Sequence, residues 1–85
     1  MPEISRFYGI SIRMFYDDHG PPHFHAVYGE CEAKVDIRSG VVRGRLPRRA
    51  LRLVLTWYPR HVDELLKDWD LAARRKPLEP IAPLE

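Results

Sequence analysis

Three of the chain's four histidines lie within seven residues, in the segment DDHGPPHFHA at positions 17–26. His23 and His25 are two residues apart, so a β-strand would place both imidazoles on one face and point Phe24 to the other. Imidazole binds transition-metal ions, and it also exchanges protons close to neutral pH. The segment therefore suggests a metal site or an acid–base centre, and its Pro-Pro pair also fits a plain turn.

A metal site here would use His19, His23 and His25 as ligands, with Glu30 five residues after the last histidine. Such a site requires the turn at Pro21 and Pro22 to fold His19 back over the strand. We keep metal binding as an alternative hypothesis and predict a site without metal or cofactor.

An acid–base centre needs one imidazole near a 2′-hydroxyl or a scissile phosphate, and a cation to hold the developing charge. Arg13 on the neighbouring strand would share the face of His23 and His25. In the structural alternative, the two aspartates of the segment stabilise the turn by side-chain hydrogen bonds, and the histidines are ordinary surface residues. The acid–base hypothesis predicts a metal-independent ribonuclease with the catalytic residues His19, His23, His25 and Arg13.

Seven arginines and no acidic residue occur between Arg38 and Val62, although the net charge of the chain is only +2. The planar guanidinium binds phosphate and carboxylate groups well, so this basic block predicts an anionic partner, either RNA or an acidic protein. If Pro47 opens a helix, the arginines after it lie in the first turn, where free backbone N–H groups favour an anion. We predict nucleic-acid binding by Arg43, Arg45, Arg48, Arg49 and Arg52.

Alternation of apolar and polar residues predicts three to four strands that form an antiparallel meander. Residues 8–17 alternate with a period of two, HFHAVY follows the prolines, CEAKVDI follows a GE turn, and VVRGRL forms a short fourth strand. The covered face would hold Tyr8, Ile10, Ile12, Met14, Tyr16, Phe24, Ala26, Tyr28, Ala33, Val35 and Ile37. The open face would carry Phe7, Ser11, Arg13, Phe15, His23, His25 and Lys34, with Arg43 and Arg45.

Helical spacing of apolar residues begins at Pro47 and continues to about residue 76. Pro59 interrupts this segment, so we predict either one kinked helix or two helices that cover one face of the sheet. Prolines spaced by three follow in residues 77–85 and predict a polyproline-type tail. The sequence thus predicts one α+β domain over residues 1–76 and a C-terminal tail.

The composition indicates a small globular protein, because nearly half of the 85 residues are apolar and both signs of charge are mixed. A single cysteine, Cys31, excludes an internal disulfide framework and favours a reducing compartment. The chain has no long apolar segment and no signal-like start. We therefore expect a cytoplasmic protein that has no membrane partner.

Two stretches, ISRFYGISIRMFYDDHGPPHFHAVYGE and LPRRALRLVLTWYPRHVDELLKDW, resemble a widespread bacterial family known as domain of unknown function 4160. Thr56 and Pro59 depart from the family pattern and affect only the helices. The positions that carry the resemblance are Asp18, His19, Pro21, Pro22, His23, Phe24, His25, Tyr28, Gly29, Leu46, Pro47, Arg49, Leu51, Trp57, His61, Glu64, Leu65 and Trp69.

The resemblance implies the toxin side of a type II toxin–antitoxin module, whose partner is a second small protein. Together with the residues, it yields a first hypothesis of a toxin-like protein that acts on or binds RNA through a His/Arg surface. The alternatives are a non-catalytic partner-binding module of a two-gene system and a histidine-cluster metal-binding protein. A homodimer is compatible with each hypothesis.

Overall fold

The protein, described by a computed structural model over residues 2–85, is a five-stranded antiparallel sheet followed by two helices. Each strand pairs with the next along the chain, so the sheet order is 1-2-3-4-5. The predicted α+β meander is confirmed, with one strand more than expected. The strands are β1 (Glu3–Phe7), β2 (Ile10–Arg13), β3 (His23–Tyr28), β4 (Cys31–Asp36) and β5 (Val42–Gly44), and the helices are α1 (Arg48–Trp57) and α2 (Val62–Ala73).

The additional strand, β1, precedes a tight turn at the start of the segment that was predicted to be one strand over residues 8–17. Tyr8 and Gly9 have φ angles of 50° and 80°, the left-handed values that a two-residue hairpin turn requires. The turn reverses the chain, so β1 precedes it and pairs with β2. Regular alternation continues through such a turn, which is why the sequence did not reveal it.

The core lies between one face of the sheet and the helices. Phe24, Ala26 and Val35 are buried there, as the alternation predicted. Tyr8, Tyr16 and Tyr28 were predicted to be covered, but they are 56%, 41% and 40% exposed. Tyr8 and Tyr28 still border α1 beside Ala50, whereas Tyr16 lines a cavity beside His25 and was assigned to the wrong face. Phe7 was also assigned to the wrong face. It belongs to the core and its ring centroid lies 5.3 Å from that of Trp57.

The helices are separated at Pro59, as predicted. The three residues Tyr58–Arg60 form a single 3₁₀ turn between α1 and α2, which accommodates the missing proline N–H. The break allows α1 to bury Ala50, Val54 and Trp57 while α2 buries Leu65 and Ala72 on the same core. Both helices therefore cover one face of the sheet, and α2 also reaches His23 through Trp69.

The segment after α2 is fastened to the core, although it has no regular secondary structure. Ile81 is buried, and its N–H donates to the carbonyl oxygen of Ile4 at 2.7 Å. The indole Nε1–H of Trp57 donates to the carbonyl oxygen of Ala82 at 2.8 Å, and the N–H of Glu79 donates to Asp68 Oδ1 at 2.8 Å. The tail therefore completes the core.

We expect Asp68→Asn to become increasingly stabilising, relative to the wild type, as the pH rises through the acid range. Asp68 is buried, and burial raises the pKa of its carboxyl above the usual 3.8. The stability that the raised pKa contributes is present below pH 3.8 and is lost as the pH rises through the folded-state pKa. Asparagine keeps a neutral acceptor for Glu79 and avoids that loss.

Urea unfolding of both proteins at a series of pH values measures this difference. Asp70→Asn is the control, because Asp70 is exposed on the same helix and its one ion pair within residues 2–85 is with Arg74. The pH series runs from about 3 to about 7, which spans the ordinary titration of aspartate. If the difference in unfolding free energy between Asp68→Asn and wild type is constant over this range, burial of Asp68 does not disfavour its charge.

Candidate metal centre

A row of basic side chains crosses the face of the sheet opposite the core. The strand register pairs Arg13 with His25, His25 with Lys34, and Lys34 with Arg43, so the row spans β2 to β5. Directly paired residues point to the same face of a sheet. The neighbours of His25 in β3, Phe24 and Ala26, belong to the core, which places the row on the other face.

The loop of residues 14–22 brings an aspartate to this row. Asp18 Oδ2 lies 2.9 Å from Nε2 of His23 and 3.6 Å from Nε2 of His25. Its other oxygen, Oδ1, accepts the backbone N–H of His19 at 2.9 Å, which orients the carboxylate. Left-handed φ angles at Asp17 and Gly20 allow the loop to turn back over the strand.

The carboxyl of Asp18 is ionised more readily than an ordinary aspartate. Partial burial raises its pKa, but the N–H of His19 and the neighbouring imidazoles of His23 and His25 together outweigh burial and lower the pKa. The side chain is 28% exposed, so solvent still reaches it. A negative oxygen is thus fixed beside the two histidines.

The hydrogen bonds of the two imidazoles determine their tautomers. Nδ1 of His23 lies 2.9 Å from the carbonyl oxygen of Pro21, and Nδ1 of His25 lies 2.8 Å from Oε2 of Glu32. Both partners accept and cannot donate, so each Nδ1 carries the proton. In its neutral form each ring therefore presents a lone pair at Nε2, and in its protonated form it presents an N–H there, which is the form that lowers the pKa of Asp18.

Aromatic packing holds both rings in place. The ring of Phe15 meets His25 edge-on at a centroid distance of 4.4 Å, and His23 lies 5.1 Å from Trp69 of α2. The two imidazole centroids are 5.2 Å apart. His25 is only 4% exposed, so its orientation is set by the protein and not by water.

Neither Nε2 atom has a hydrogen-bond partner within residues 2–85, and both atoms are buried. His23 Nε2 is close to Asp18 in distance, but the two atoms are not aligned for a hydrogen bond. With both rings neutral, two imidazole lone pairs and one carboxylate oxygen converge without a donor. Buried acceptors without a donor are costly, and a bound cation or water molecule would satisfy such a set.

The spacing of the three groups fits a transition-metal ion. One ligand atom from each of Asp18, His23 and His25 lies within 4.8 Å of the other two. Ligands at about 2.0–2.1 Å from a common ion, in tetrahedral or octahedral geometry, are about 2.9–3.4 Å apart. The 2.9 Å between Asp18 and His23 lies in that range, and the 3.6 Å between Asp18 and His25 is slightly longer.

The structure unites some of the predicted catalytic residues and separates others. His23 and His25 converge, and Arg13 is paired with His25, although the Arg13 Nε–H donates to Ser11 Oγ at 2.8 Å. His19 contributes its backbone N–H to the cluster, and its exposed side chain is not one of the three converging groups. Asp18 takes the position that the metal hypothesis assigned to His19.

Sequence reasoning gave no site role to three members of the site, Asp18, Glu32 and Lys34, although it placed Lys34 on the open face with the histidines. The GE turn at residues 29–30 implies the pairing of His25 with Lys34 and places Glu32 diagonally across from His25, so these two residues were within reach of the sequence. Glu32, and not Glu30, contacts His25. No sequence signal gave the path of the loop that delivers Asp18.

The arginines predicted to bind nucleic acid divide between two locations. Arg43 belongs to the row on β5, and Arg45 follows that strand, where its N–H donates to the carbonyl oxygen of Glu32. α1 covers the opposite face of the sheet and carries Arg48, Arg49 and Arg52. In the part of the chain that the structure describes, none of the five has a carboxylate within 4.0 Å.

Two surface cavities border the cluster. The first, about 200 Å³, is lined by His19, His23, Lys34 and Arg43 together with Pro21, Asp36 and Val41. The second, about 380 Å³, is lined by Asp18, His25 and Lys34 together with Phe15, Tyr16 and Asp17. Lys34 lines both cavities, so it separates two openings that lead to the same cluster.

The fold and the site together define a small α+β domain with a His-His-Asp cluster on the sheet face opposite its helices. Residues 9–70 match the family described as "Domain of unknown function (DUF4160)", and the whole cluster lies inside the match. Because the match covers more than half of the chain, the protein belongs to that family. Comparisons with curated proteins and with solved structures found no match. Neither helix within residues 2–85 combines the length and apolar character needed to cross a bilayer.

Proposed function

We propose that this domain binds a divalent transition-metal ion through Asp18 Oδ2 and the Nε2 atoms of His23 and His25. The observation that carries the proposal is the convergence of three acceptors, two of them buried imidazole nitrogens, with no donor to satisfy them. A single bound ion satisfies all three acceptors at once.

A proton satisfies the cluster less well than an ion. Protonating His23 would supply a donor to Asp18 but would leave Nε2 of His25 without one. Protonating both rings would bring two positive charges together, because their centroids are 5.2 Å apart. An acid–base residue must contact the group that gives or takes its proton. The Nε2 atoms of His23 and His25 are buried, so a substrate hydroxyl would reach them poorly.

The ligand set indicates the class of ion. Two imidazoles and one carboxylate suit zinc, iron(II), nickel or cobalt(II) better than magnesium or calcium, which prefer oxygen. Three protein ligands leave coordination positions open, as in catalytic metal sites and unlike closed structural ones. The Nδ1–H bonds to Glu32 and to the carbonyl oxygen of Pro21 are the outer contacts that usually orient such ligands.

Isothermal titration of untagged protein with Zn²⁺, Co²⁺ and Ni²⁺, followed by elemental analysis, tests the proposal. One ion per chain is expected for the wild type, and His23→Ala and His25→Ala are expected to lose it. His61→Gln is the matched control, since His61 contacts Glu64 and lies outside the cluster. His19→Ala should also retain the ion. Substoichiometric binding of all three metals, or equal binding by the His25→Ala variant, would refute the site.

A second candidate function is supported by the basic row, which carries exposed Lys34 and Arg43 beside the histidines. Here the protein is a toxin-like component of a two-gene module that acts on RNA in the cytoplasm, with a small antitoxin-like partner. Inducing the wild type and a His23→Ala, His25→Ala double variant in a bacterial host tests it. Unchanged growth and intact RNA on induction of the wild type would remove this candidate.

A further inference from the structure

We infer that the open coordination positions of the bound ion take a phosphate-class oxyanion, which Lys34 and Arg43 hold from the side. The inference rests on the proposed metal site and names the ligand class of that site. It follows from the position of these two cations, their lack of other partners, and the shape of the surface around the cluster.

Lys34 lies directly across from His25 in the cross-strand row, and Arg43 is the next position beyond Lys34. Both side chains line the cavity of about 200 Å³ that reaches His23. Neither has a carboxylate within 4.0 Å anywhere in residues 2–85. Two exposed cations are thus free to bind an anion beside the ion.

The one carboxylate that lines the same cavity, Asp36, is engaged elsewhere. Its Oδ1 accepts the backbone N–H groups of Arg38 and Ser39, each at 2.9 Å. With the ion bound, the surroundings of the cluster would hold two side-chain cations, a divalent metal and three carboxylates, those of Asp18, Glu32 and Asp36. The balance is positive, which favours an oxyanion over a neutral or cationic ligand.

A tetrahedral oxyanion suits this arrangement because one oxygen can coordinate the ion while others accept N–H bonds from Lys34 and Arg43. Arginine binds phosphate through two parallel donors, and lysine supplies a point charge. The free ligand can be inorganic phosphate or a phosphate group of a nucleic acid, since both offer the same oxygens. The volume of about 200 Å³ admits one such group.

The test uses the cobalt(II) form of the full chain, whose visible absorption changes when a new ligand enters the coordination shell. Inorganic phosphate should give a saturable spectral change. A Lys34→Ala, Arg43→Ala double variant should bind Co²⁺ as the wild type does but lose phosphate affinity by about tenfold or more, because it lacks two charge-assisted donors. An Arg48→Ala, Arg49→Ala variant removes the same charge from α1 and should behave as the wild type.

A short single-stranded oligoribonucleotide serves as the second probe. If it changes the spectrum at lower concentration than inorganic phosphate does, the source is a nucleic acid; if only inorganic phosphate acts, the source is the free anion. Cobalt binding without a spectral response to either probe overturns the oxyanion inference and leaves the metal site standing. Failure to bind cobalt at all overturns the metal site, and the inference falls with it. A response that survives the Lys34→Ala, Arg43→Ala change assigns the anion to the ion alone and also overturns the inference.

Discussion

Saturating Zn²⁺ is expected to raise the unfolding midpoint of the wild-type protein by about 10–20 °C. An ion that binds the folded chain and not the unfolded chain stabilises the fold by about 2.7 kcal/mol at a free concentration of 100 times Kd. For a domain of this size, each kcal/mol moves the midpoint by about 4–8 °C. The effect is large because the ion joins Asp18 in a loop to two histidines in β3, which the unfolded chain holds apart.

The shift is measured within each variant, with and without Zn²⁺, so that any loss of intrinsic stability cancels. His25→Ala should show almost no shift, because the imidazole it lacks is the more buried ligand. His61→Gln should keep the full shift, and Mg²⁺ should not replace Zn²⁺. An equal shift in His25→Ala and the wild type would mean that the ion binds elsewhere.

The proposed ion links the loop of residues 14–22 to the sheet. Asp17 of this loop also pairs with Arg75 after α2, and Trp69 of α2 packs on His23. The cluster thus touches the sheet, the loop and the second helix. An ion bound there would stabilise contacts between elements that are far apart in the sequence, which is the physical basis of the expected thermal shift.

The regular parts of the fold could be predicted from the sequence because each has a local cause. The GE turn sets the β3–β4 register, and from that register the positions of Lys34 and Glu32 relative to His25 follow. Pro59 interrupts the helix whatever the tertiary packing, because proline lacks the backbone N–H that a helix interior needs. These features depend on residues that are neighbours in sequence, so short patterns carry them.

The rest of the site could not be predicted, because it depends on backbone conformations that no pattern encodes. The left-handed turn at Tyr8 and Gly9 reverses the chain within an unbroken alternation, which moved Phe7 into the core and Tyr8 out of it. The left-handed Asp17 directs Asp18 onto the histidines. Histidine, aspartate and proline were visible in the sequence, but which carboxylate would meet which imidazole was decided by the loop.

Glu32→Gln is expected to weaken Zn²⁺ binding by about tenfold, and Glu32→Ala by up to about 100-fold, although neither variant removes a ligand. The Glu32 carboxylate accepts the Nδ1–H of His25 at 2.8 Å, which keeps the lone pair at Nε2 and adds negative charge behind the ring. Glutamine can still accept this hydrogen bond but carries no charge, so the Gln variant retains orientation and loses the electrostatic part. Alanine loses both parts and leaves the Nδ1–H of His25 without its acceptor.

Glu30→Gln is the matched control, because it makes the same chemical change at an exposed position of the β3–β4 turn, two residues away. Titration with Zn²⁺ at constant pH and ionic strength gives the three affinities, and circular dichroism checks that each variant is folded. Affinities ranked wild type, Glu32→Gln, Glu32→Ala, with Glu30→Gln equal to wild type, identify Glu32 as a positioning residue for His25. Equal affinity of Glu32→Ala and wild type would show that His25 needs no carboxylate behind it. A loss in Glu30→Gln as large as in Glu32→Gln would show that the response reflects net charge near the site and not the hydrogen bond to Nδ1.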